Sequence, residues 1–413
     1  MILNKKILQF NFYLLLIFPL TLVFSKFLSE IIIFLSIVSL FINFDFFKEK
    51  MSEKWVIFFL LFYFWLCITT LQQLNLENFL KSTSYIRFLF FSLAIILILN
   101  TKKKFYFFLI SIFITIFFVQ VDILIQFLNG KDLFGYQPSN EVRYSGPFGK
   151  ELIAGGFLAK FFGISFFIFY LLMNIYNVKY KMIFLSLYLI SFLFIVFITG
   201  ERMAFLLSLF MFFLIFVYEK RIRIKLLSFF IIFLILISTF VMSNEKYFNR
   251  YIKQNIAQIG LEYKGINYEL KNSIYFRIWT TGYLYIKQKP IVGNGLKFYY
   301  INCNHTEKYF KNIKLANCIH PHNVYLDIVG ATGFVGLILF ILFIFNFLNS
   351  IKLKDIEKRD KFYELIHKGS FLSLIIILWP LKTSGAFFNN YNSMILFVIL
   401  GLLLTNFKLY QKN

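Results

Sequence analysis

Three ionisable side chains stand where polar loops meet long apolar segments. Arg202 follows Glu201 on a very short turn, Arg277 lies in an aromatic string, and His322 precedes Asn323 and a long apolar run. A guanidinium binds a phosphate through two parallel hydrogen bonds, which an ammonium does less well. A histidine with an ordinary pKa can take a proton from a hydroxyl at neutral pH. These residue types predict anion binding and general-base chemistry at a membrane edge.

Each of these residues also has a structural interpretation. Arg202 could pair with Glu201 or extend toward a lipid phosphate, and a lone histidine at such a boundary is often an ordinary loop residue. His320 is a rival to His322 as the base. The partner that would orient His322 is open: Asp327 points away on a helical wheel, which leaves Glu201 or a backbone carbonyl.

The elements that must position these residues are membrane helices. The chain has 413 residues, 59% hydrophobic and 15% charged, against about 45–50% and about 25% in soluble domains. Apolar runs of roughly 18 residues or more, long enough to cross a bilayer, recur along the chain. The composition predicts an all-α polytopic membrane protein in which residues 1–413 form a single integral membrane domain.

Apolar windows with polar breaks predict twelve transmembrane helices. They cover residues 7–24, 27–44, 55–71, 84–100, 105–128, 152–174, 182–199, 203–218, 226–243, 324–348, 369–386 and 392–408.

The basic residues indicate the orientation of these helices. Lys and Arg are concentrated at both termini and in the loops that follow every second predicted span. Short loops retained in the cytoplasm carry this excess. We therefore expect a protein of the bacterial inner membrane with both termini in the cytoplasm. One large periplasmic loop, residues 243–322, would lie between the ninth and tenth spans.

The charge of this loop has two interpretations. It contains twelve Lys or Arg against four Glu, and the whole chain contains 43 basic against 20 acidic residues. In a soluble protein such an excess would suggest nucleic acid, but in a membrane protein it first reports sidedness, so we expect no nucleic-acid partner. The loop is either a solvated basic segment or an electropositive surface for an anionic substrate or a lipid headgroup.

Cysteine and histidine spacing bears on disulfides and metals. Cys303 and Cys318 lie in the predicted periplasmic loop, where an oxidising compartment permits a disulfide, and the sequence leaves this pairing open. His305, His320 and His322 do not form a pattern typical of zinc ligands. We therefore expect no metal site.

A spaced motif begins at His322. Asn323 follows it, nine residues then precede Gly333, and Gly336 comes three positions later. At the junction of a long external loop and a late span, this pattern resembles the signature of the O-antigen ligase and O-antigen polymerase-like membrane glycosyltransferases. Arg202, with Leu206 four positions on, looks like the Arg-x-x-x-Leu element of the ligases.

Two further stretches are similar to this family. Residues 276–295, with Arg277, resemble the loop that precedes the histidine, although Thr281 stands where a second Arg-x-x-x-Leu element would need leucine. The earlier segment 122–155, with Arg143, is also similar.

The resemblance implies a C-type glycosyltransferase fold and a donor glycan on undecaprenyl diphosphate, with no metal ion or cofactor. His322 would be the general base for the acceptor hydroxyl, while Arg202 and Arg277 would bind the diphosphate and stabilise the leaving group. Further substrate-binding positions would be Asn323, Arg143, Gly333 and Gly336.

Several functions share these features. The Arg202 element and the His322 motif favour a ligase, which moves the glycan to a lipid A-core acceptor, over a polymerase, which uses a lipid-linked repeat. A relative that glycosylates protein is a smaller possibility. A polysaccharide or lipid transporter is disfavoured, because we find no internal repeat and few charges within the spans.

Overall fold

The computed structural model describes residues 2–140, 142–220, 223–258, 274–302, 320–351 and 360–412, and the regular structure in these ranges is helical. The helices are α1 (Ile2–Phe24), α2 (Lys26–Ile42), α3 (Phe44–Met51), α4 (Lys54–Leu71), α5 (Leu76–Thr83), α6 (Ile86–Ile98), α7 (Lys102–Asn129), α8 (Ala154–Ile175), α9 (Lys181–Ile198), α10 (Arg202–Tyr218), α11 (Arg223–Ser243), α12 (Glu245–Phe248), α13 (Gln254–Gln258), α14 (Ile274–Gln288), α15 (Phe298–Asn302), α16 (Val324–Ser350), α17 (Lys361–Leu378) and α18 (Asn390–Gln411).

Every predicted span overlaps a helix, but fewer than twelve helices are clear membrane spans. Among the described residues, nine helices are long and apolar enough to cross a bilayer, or up to ten if the bent pair α2–α3 forms one span. α10 has only 17 residues, and α17 contains three charged side chains. The all-helical, multi-pass membrane architecture is confirmed, whereas twelve spans and the periplasmic placement of residues 243–322 are not.

The predicted eleventh span, residues 369–386, is wrong in its boundaries. α17 begins at Lys361 because the Asp360 side chain accepts a hydrogen bond from the Phe362 amide (2.9 Å). It ends at Leu378 because Pro380 disfavours the helical conformation of Trp379, which has φ −61° and ψ 122°. The apolar pattern marked part of this helix but not these capping residues.

The centre of the bundle is formed by α8 and α18. α8 packs against α7, α9, α10 and α17, and α18 packs against α6 and α17. α11 is largely exposed, and α1, α2 and α4 also carry several large exposed apolar side chains. An apolar exterior of this kind suits contact with lipid chains.

α16 is broken at Gly333, which has φ 66° and ψ −174°. A turn at residues 289–295 fills the break: the Asn294 and Gly295 amides donate to the carbonyls of Gly330 and Ala331 (2.9 and 2.8 Å), and the Phe334 amide donates to Pro290 (2.8 Å). These bonds satisfy the backbone groups that a broken membrane helix would leave without hydrogen-bond partners.

α4 holds the same turn from the other side. The Gln73 side chain donates to the carbonyls of Asn294 and Leu296 (2.6 and 2.8 Å), and the Trp65 indole donates to Thr332 (2.7 Å). The turn therefore joins α14, which contains Tyr275, to α16, which begins two residues after His322.

We expect Gly333→Ala to destabilise the protein. A Cβ atom there would lie 2.1 Å from the Ile291 carbonyl oxygen, at a φ that L-residues rarely adopt. The free energy of unfolding should fall by about 1–3 kcal/mol, measured as a lower thermal unfolding midpoint in detergent.

Gly282→Ala is the matched control. Gly282 lies within α14, and its nearest neighbour would be 3.5 Å from the new Cβ, so the better helix propensity of alanine should leave the midpoint unchanged or higher. Equal midpoints for the two variants would contradict the broken-helix account.

Candidate functional site

The turn between α9 and α10 lies at the centre of the site. Gly200 has φ 67°, and a Cβ on it would lie 2.1 Å from the Val142 carbonyl oxygen. The Glu201 carboxylate accepts hydrogen bonds from the Gly155 and Gly156 amides (2.7 and 3.1 Å) at the start of α8. Burial raises the pKa of Glu201 to about 7 despite these bonds. The turn is thus held by both the α7–α8 loop and α8.

Arg250 fixes the same turn from the segment that follows α12. Its Nε and Nη2 atoms both donate to the Gly200 carbonyl (2.9 and 2.8 Å), and Nη1 donates to Gln254 (2.8 Å). The next residue, Tyr251, stacks on Phe197 with ring centroids 4.6 Å apart. Sequence analysis counted Arg250 only as one of the basic residues of segment 243–322, because no local motif marks it.

Arg143, Arg202 and Arg250 form an arginine cluster. Each lies within electrostatic range of at least one other member and of Tyr251 and Tyr275. Burial lowers the pKa of Arg143 and Arg250, and the charge of Arg250 lowers that of Arg143 further. The structure therefore brings Arg143, predicted from an earlier segment, to the same place as Arg202.

Two members of the arginine cluster have unsatisfied donors. Within the described part of the chain, Arg202 Nη1 and Arg143 Nε are buried and have no hydrogen-bond partner. The alternative that Arg202 pairs with Glu201 is not observed there, because the Glu201 oxygens bind the α8 amides. Buried guanidinium donors without an acceptor are costly unless an anion completes them. This arrangement can bind an anion such as a phosphate.

His322 lies at the start of α16 in a strained conformation with φ 51°. Its carbonyl accepts the Ser384 amide (2.9 Å), and its amide donates to His320 Nδ1 (3.1 Å). The two imidazole rings are 4.0 Å apart. Burial lowers the pKa of His322 below 6.5 and that of His320 to about 4. Both rings are therefore neutral at pH 7 and able to accept a proton.

Tyr275 connects His322 with the arginine cluster. Its ring stands nearly perpendicular to the His322 ring, with centroids 6.4 Å apart, and it interacts electrostatically with all three arginines. Arg277 follows two residues later in α14, and its side chain lies outside the described part of the structure. The fold thus brings the arginine cluster and the neutral His322 imidazole, from distant parts of the chain, to either side of Tyr275.

Asn323 and the two glycines of the His322 motif have structural contacts. The Asn323 side chain caps α16 through the Tyr325 and Leu326 amides (3.0 and 3.2 Å) and donates to the Pro380 carbonyl (2.8 Å). Gly333 forms the helix break, and Gly336 lies against Thr332. A role of these residues in substrate binding stays a prediction.

The remaining polar candidates do not extend the site. The Asp327 carboxylate accepts the Phe387 amide (2.7 Å), in line with its expected direction away from His322. Cys303, His305 and Cys318 lie outside the described residues, as does any disulfide between the two cysteines. In the ranges that the structure covers, no three His, Cys, Asp or Glu side chains are placed to bind a metal ion.

We expect inorganic pyrophosphate to raise the thermal unfolding midpoint of the protein, because it would supply acceptors for the buried donors of Arg202 and Arg143. Arg202→Lys keeps the charge but loses the paired N–H donors of the guanidinium, so the thermal unfolding midpoint of this variant should shift much less on adding pyrophosphate.

Arg87→Lys serves as the control for this measurement. Arg87 is already paired with both Glu30 oxygens at 3.0 Å, so the pyrophosphate shift should match that of the unaltered protein. An equal shift in the Arg202 variant would place the anion elsewhere.

Comparison with known proteins agrees with the resemblance noted from the sequence. Residues 187–341 match the model of a protein family described as O-antigen ligase, and no curated protein matches the chain. The matched range contains Arg202, Arg250 and His322, whereas Arg143 precedes it. Over residues 187–341 the chain is therefore similar to the O-antigen ligase family.

Proposed function

We propose that the protein is an O-antigen ligase that transfers a glycan from undecaprenyl diphosphate to a sugar hydroxyl of the lipid A-core. The observation that carries this proposal is the arginine cluster, with two unpaired buried donors, on one side of Tyr275 and the neutral His322 on the other. The family match supports O-antigen ligase or polymerase-type activity. The donor, the acceptor and the choice of ligase are our inference.

The arginine cluster suits the leaving group. Transfer breaks the bond between the anomeric carbon and the diphosphate oxygen, so negative charge grows on that oxygen. Arg202 Nη1 and Arg143 Nε have no hydrogen-bond acceptor among the described residues. Arg250 binds the Gly200 carbonyl in the turn that precedes Arg202. Preorganised guanidiniums in a buried site stabilise such charge as it develops. Arg277 is proposed to join them, so the reaction needs neither a metal ion nor a cofactor.

His322 suits the general base. As the acceptor oxygen forms its bond to the anomeric carbon, its proton passes to a ring nitrogen of His322. A partly buried, neutral imidazole is ready to accept it at pH 7. Because the acceptor attacks as the diphosphate leaves, this single displacement inverts the anomeric configuration. Asn323, which caps α16, and the broken helix at Gly333 hold His322 in place, and we propose that Asn323, Gly333 and Gly336 also line the substrate path.

The proposal includes the site's location. The arginine cluster and His322 lie at the ends of helices that the charge pattern assigns to the periplasmic face. Both termini would be cytoplasmic and residues 243–322 periplasmic, in the inner membrane. Membrane lipids, the undecaprenyl diphosphate-linked glycan and the lipid A-core are then the partners.

We expect His322→Gln to abolish transfer and His320→Gln to preserve most of it. Only His322 has its ring against Tyr275, whereas His320 supports it. The measurement is a lipopolysaccharide gel, with the lipid-linked glycan pool, from cells lacking the protein and complemented with each variant. Immunoblotting of membranes confirms that each variant is present.

The same gel distinguishes the alternatives. Long glycan retained on the carrier lipid without a lipopolysaccharide ladder indicates a ligase, and a single repeat on the core indicates a polymerase. A normal ladder with His322→Gln would exclude His322 as the base. An unchanged ladder in cells lacking the protein would reject both transferase functions.

The pH dependence of transfer should follow the ionisation of His322. Burial lowers its pKa below 6.5, so the rate should be level above about pH 6.5 and fall as the pH drops through this lowered pKa. Below it, the rate should decline about tenfold per pH unit, because the protonated ring cannot act as a base. Initial rates of the purified protein in detergent test this profile, and a rate that rises toward acid pH would contradict it.

A further inference from the structure

The structure also contains a pocket next to the α7–α8 loop, the loop that contributes Arg143 to the arginine cluster. It has a volume of about 280 Å³ and lies between the α1–α2 turn and residues 134–153 of the α7–α8 loop. Its walls include the rings of Phe24, Phe134, Tyr136 and Phe148. Its volume is close to the lower end of the range for small-molecule sites, about 300–1,000 Å³.

The polar groups of this pocket are an ion pair. Lys26 Nζ lies 2.6 Å from the Glu151 carboxylate, and each side chain is about half exposed. The two charges compensate, so the pocket offers strong donors and acceptors without a net charge. A phosphate would be attracted by Lys26 but repelled by Glu151. A neutral ligand with many hydroxyls can bond to both partners.

The aromatic walls favour the same ligand class. Phe134 and Tyr136 are 51% and 46% exposed, which leaves ring surface for contact. A pyranose presents a flat C–H face that can pack on an aromatic ring, and hydroxyls at its edge that can reach a charged pair. Apolar walls with a few placed polar groups are typical of specific small-molecule sites.

The pocket is connected to the arginine cluster by the chain itself. The loop that contains Tyr136 and Glu151 also contains Arg143, and it ends at the α8 amides held by Glu201. A sugar bound in the pocket would therefore contact the α7–α8 loop, which also positions Arg143 of the arginine cluster.

A second connection leads to His322 through the start of α18. The centroid of the Tyr391 ring is 5.7 Å from Lys26 Nζ and 5.8 Å from Lys160 Nζ. The Tyr391 hydroxyl is buried and has no hydrogen-bond partner among the residues that the structure describes. The Asn392 side chain donates to the Ala386 carbonyl (2.8 Å). Ala386 follows Ser384 by two residues, and the Ser384 amide donates to the His322 carbonyl. Residues 384–392 thus contact both Lys26 of the pocket and His322.

We propose that this pocket is a carbohydrate subsite that holds a sugar of one of the two glycan substrates, either the acceptor or the donor chain. The proposal rests on the proposed glycan transfer and adds the place where a sugar ring is recognised. Lys26, Glu151 and Tyr136 are its binding residues.

Glu151→Gln and Tyr136→Leu test the subsite. Each should raise the KM of one glycan substrate about tenfold, the effect of losing about one good contact, and leave kcat within about twofold. Tyr136 is suitable because its backbone, rather than its ring, makes the hydrogen bonds with Asp132 that shape the loop. Lys150→Gln is the matched control, since Lys150 is exposed beside Glu151 and does not line the pocket.

Two measurements separate this inference from the proposed function. Steady-state kinetics with a lipid A-core acceptor and a lipid-linked donor show which KM rises: the acceptor KM assigns the subsite to the acceptor, and the donor KM assigns it to the donor. Calorimetry with delipidated core oligosaccharide and with free donor glycan reports binding without any transfer.

Binding that both variants weaken supports the subsite even if the protein transfers no glycan, in which case only the proposed function fails. Unchanged KM values and unchanged oligosaccharide binding in both variants would overturn the subsite while leaving the proposed function intact.

Discussion

The close approach of Gly200 to the α7–α8 loop is the constraint on which the site depends. Because Gly200 has no Cβ, the Val142 carbonyl can lie against it. The Gly200 carbonyl then faces Arg250, and the Glu201 carboxylate reaches the α8 amides. With Glu201 committed to α8, the nearby guanidiniums of Arg202 and Arg143 retain buried donors without a protein acceptor in the described structure. One short turn thus leaves buried guanidinium donors that can bind an anion.

Burial lowers the pKa of both the guanidiniums and the imidazole, but the two kinds of group differ in charge at neutral pH. A guanidinium begins with a pKa so high that a lowered value still leaves it charged at neutral pH. An imidazole begins near 6.5, so the same loss of solvent keeps His322 neutral. The partly buried site therefore holds charged guanidiniums and a neutral imidazole together. The rings of His320 and Tyr275 are described neighbours of His322.

The break in α16 connects the site to the apolar part of this helix. The turn at residues 289–295 inserts where Gly333 interrupts the helix and shares its backbone hydrogen bonds with both halves. This holds α14, and with it Tyr275, against the start of α16. Gly333, which the sequence analysis gave as a substrate-binding position, therefore helps to align α14 with the start of α16.

The sequence alone determined the class of the protein and part of its site. Long apolar runs specify membrane helices because each helix satisfies its own backbone, and the motifs around Arg202 and His322 are local in the chain. Helix ends were less predictable, as α17 shows, because capping by Asp360 and termination at Pro380 are side-chain and backbone effects that hydropathy does not report. Arg250 and the contact of Arg143 with this region were decided only by tertiary structure. Their positions depend on long-range packing at Gly200, and no periodicity within the chain records which distant residues a turn will meet.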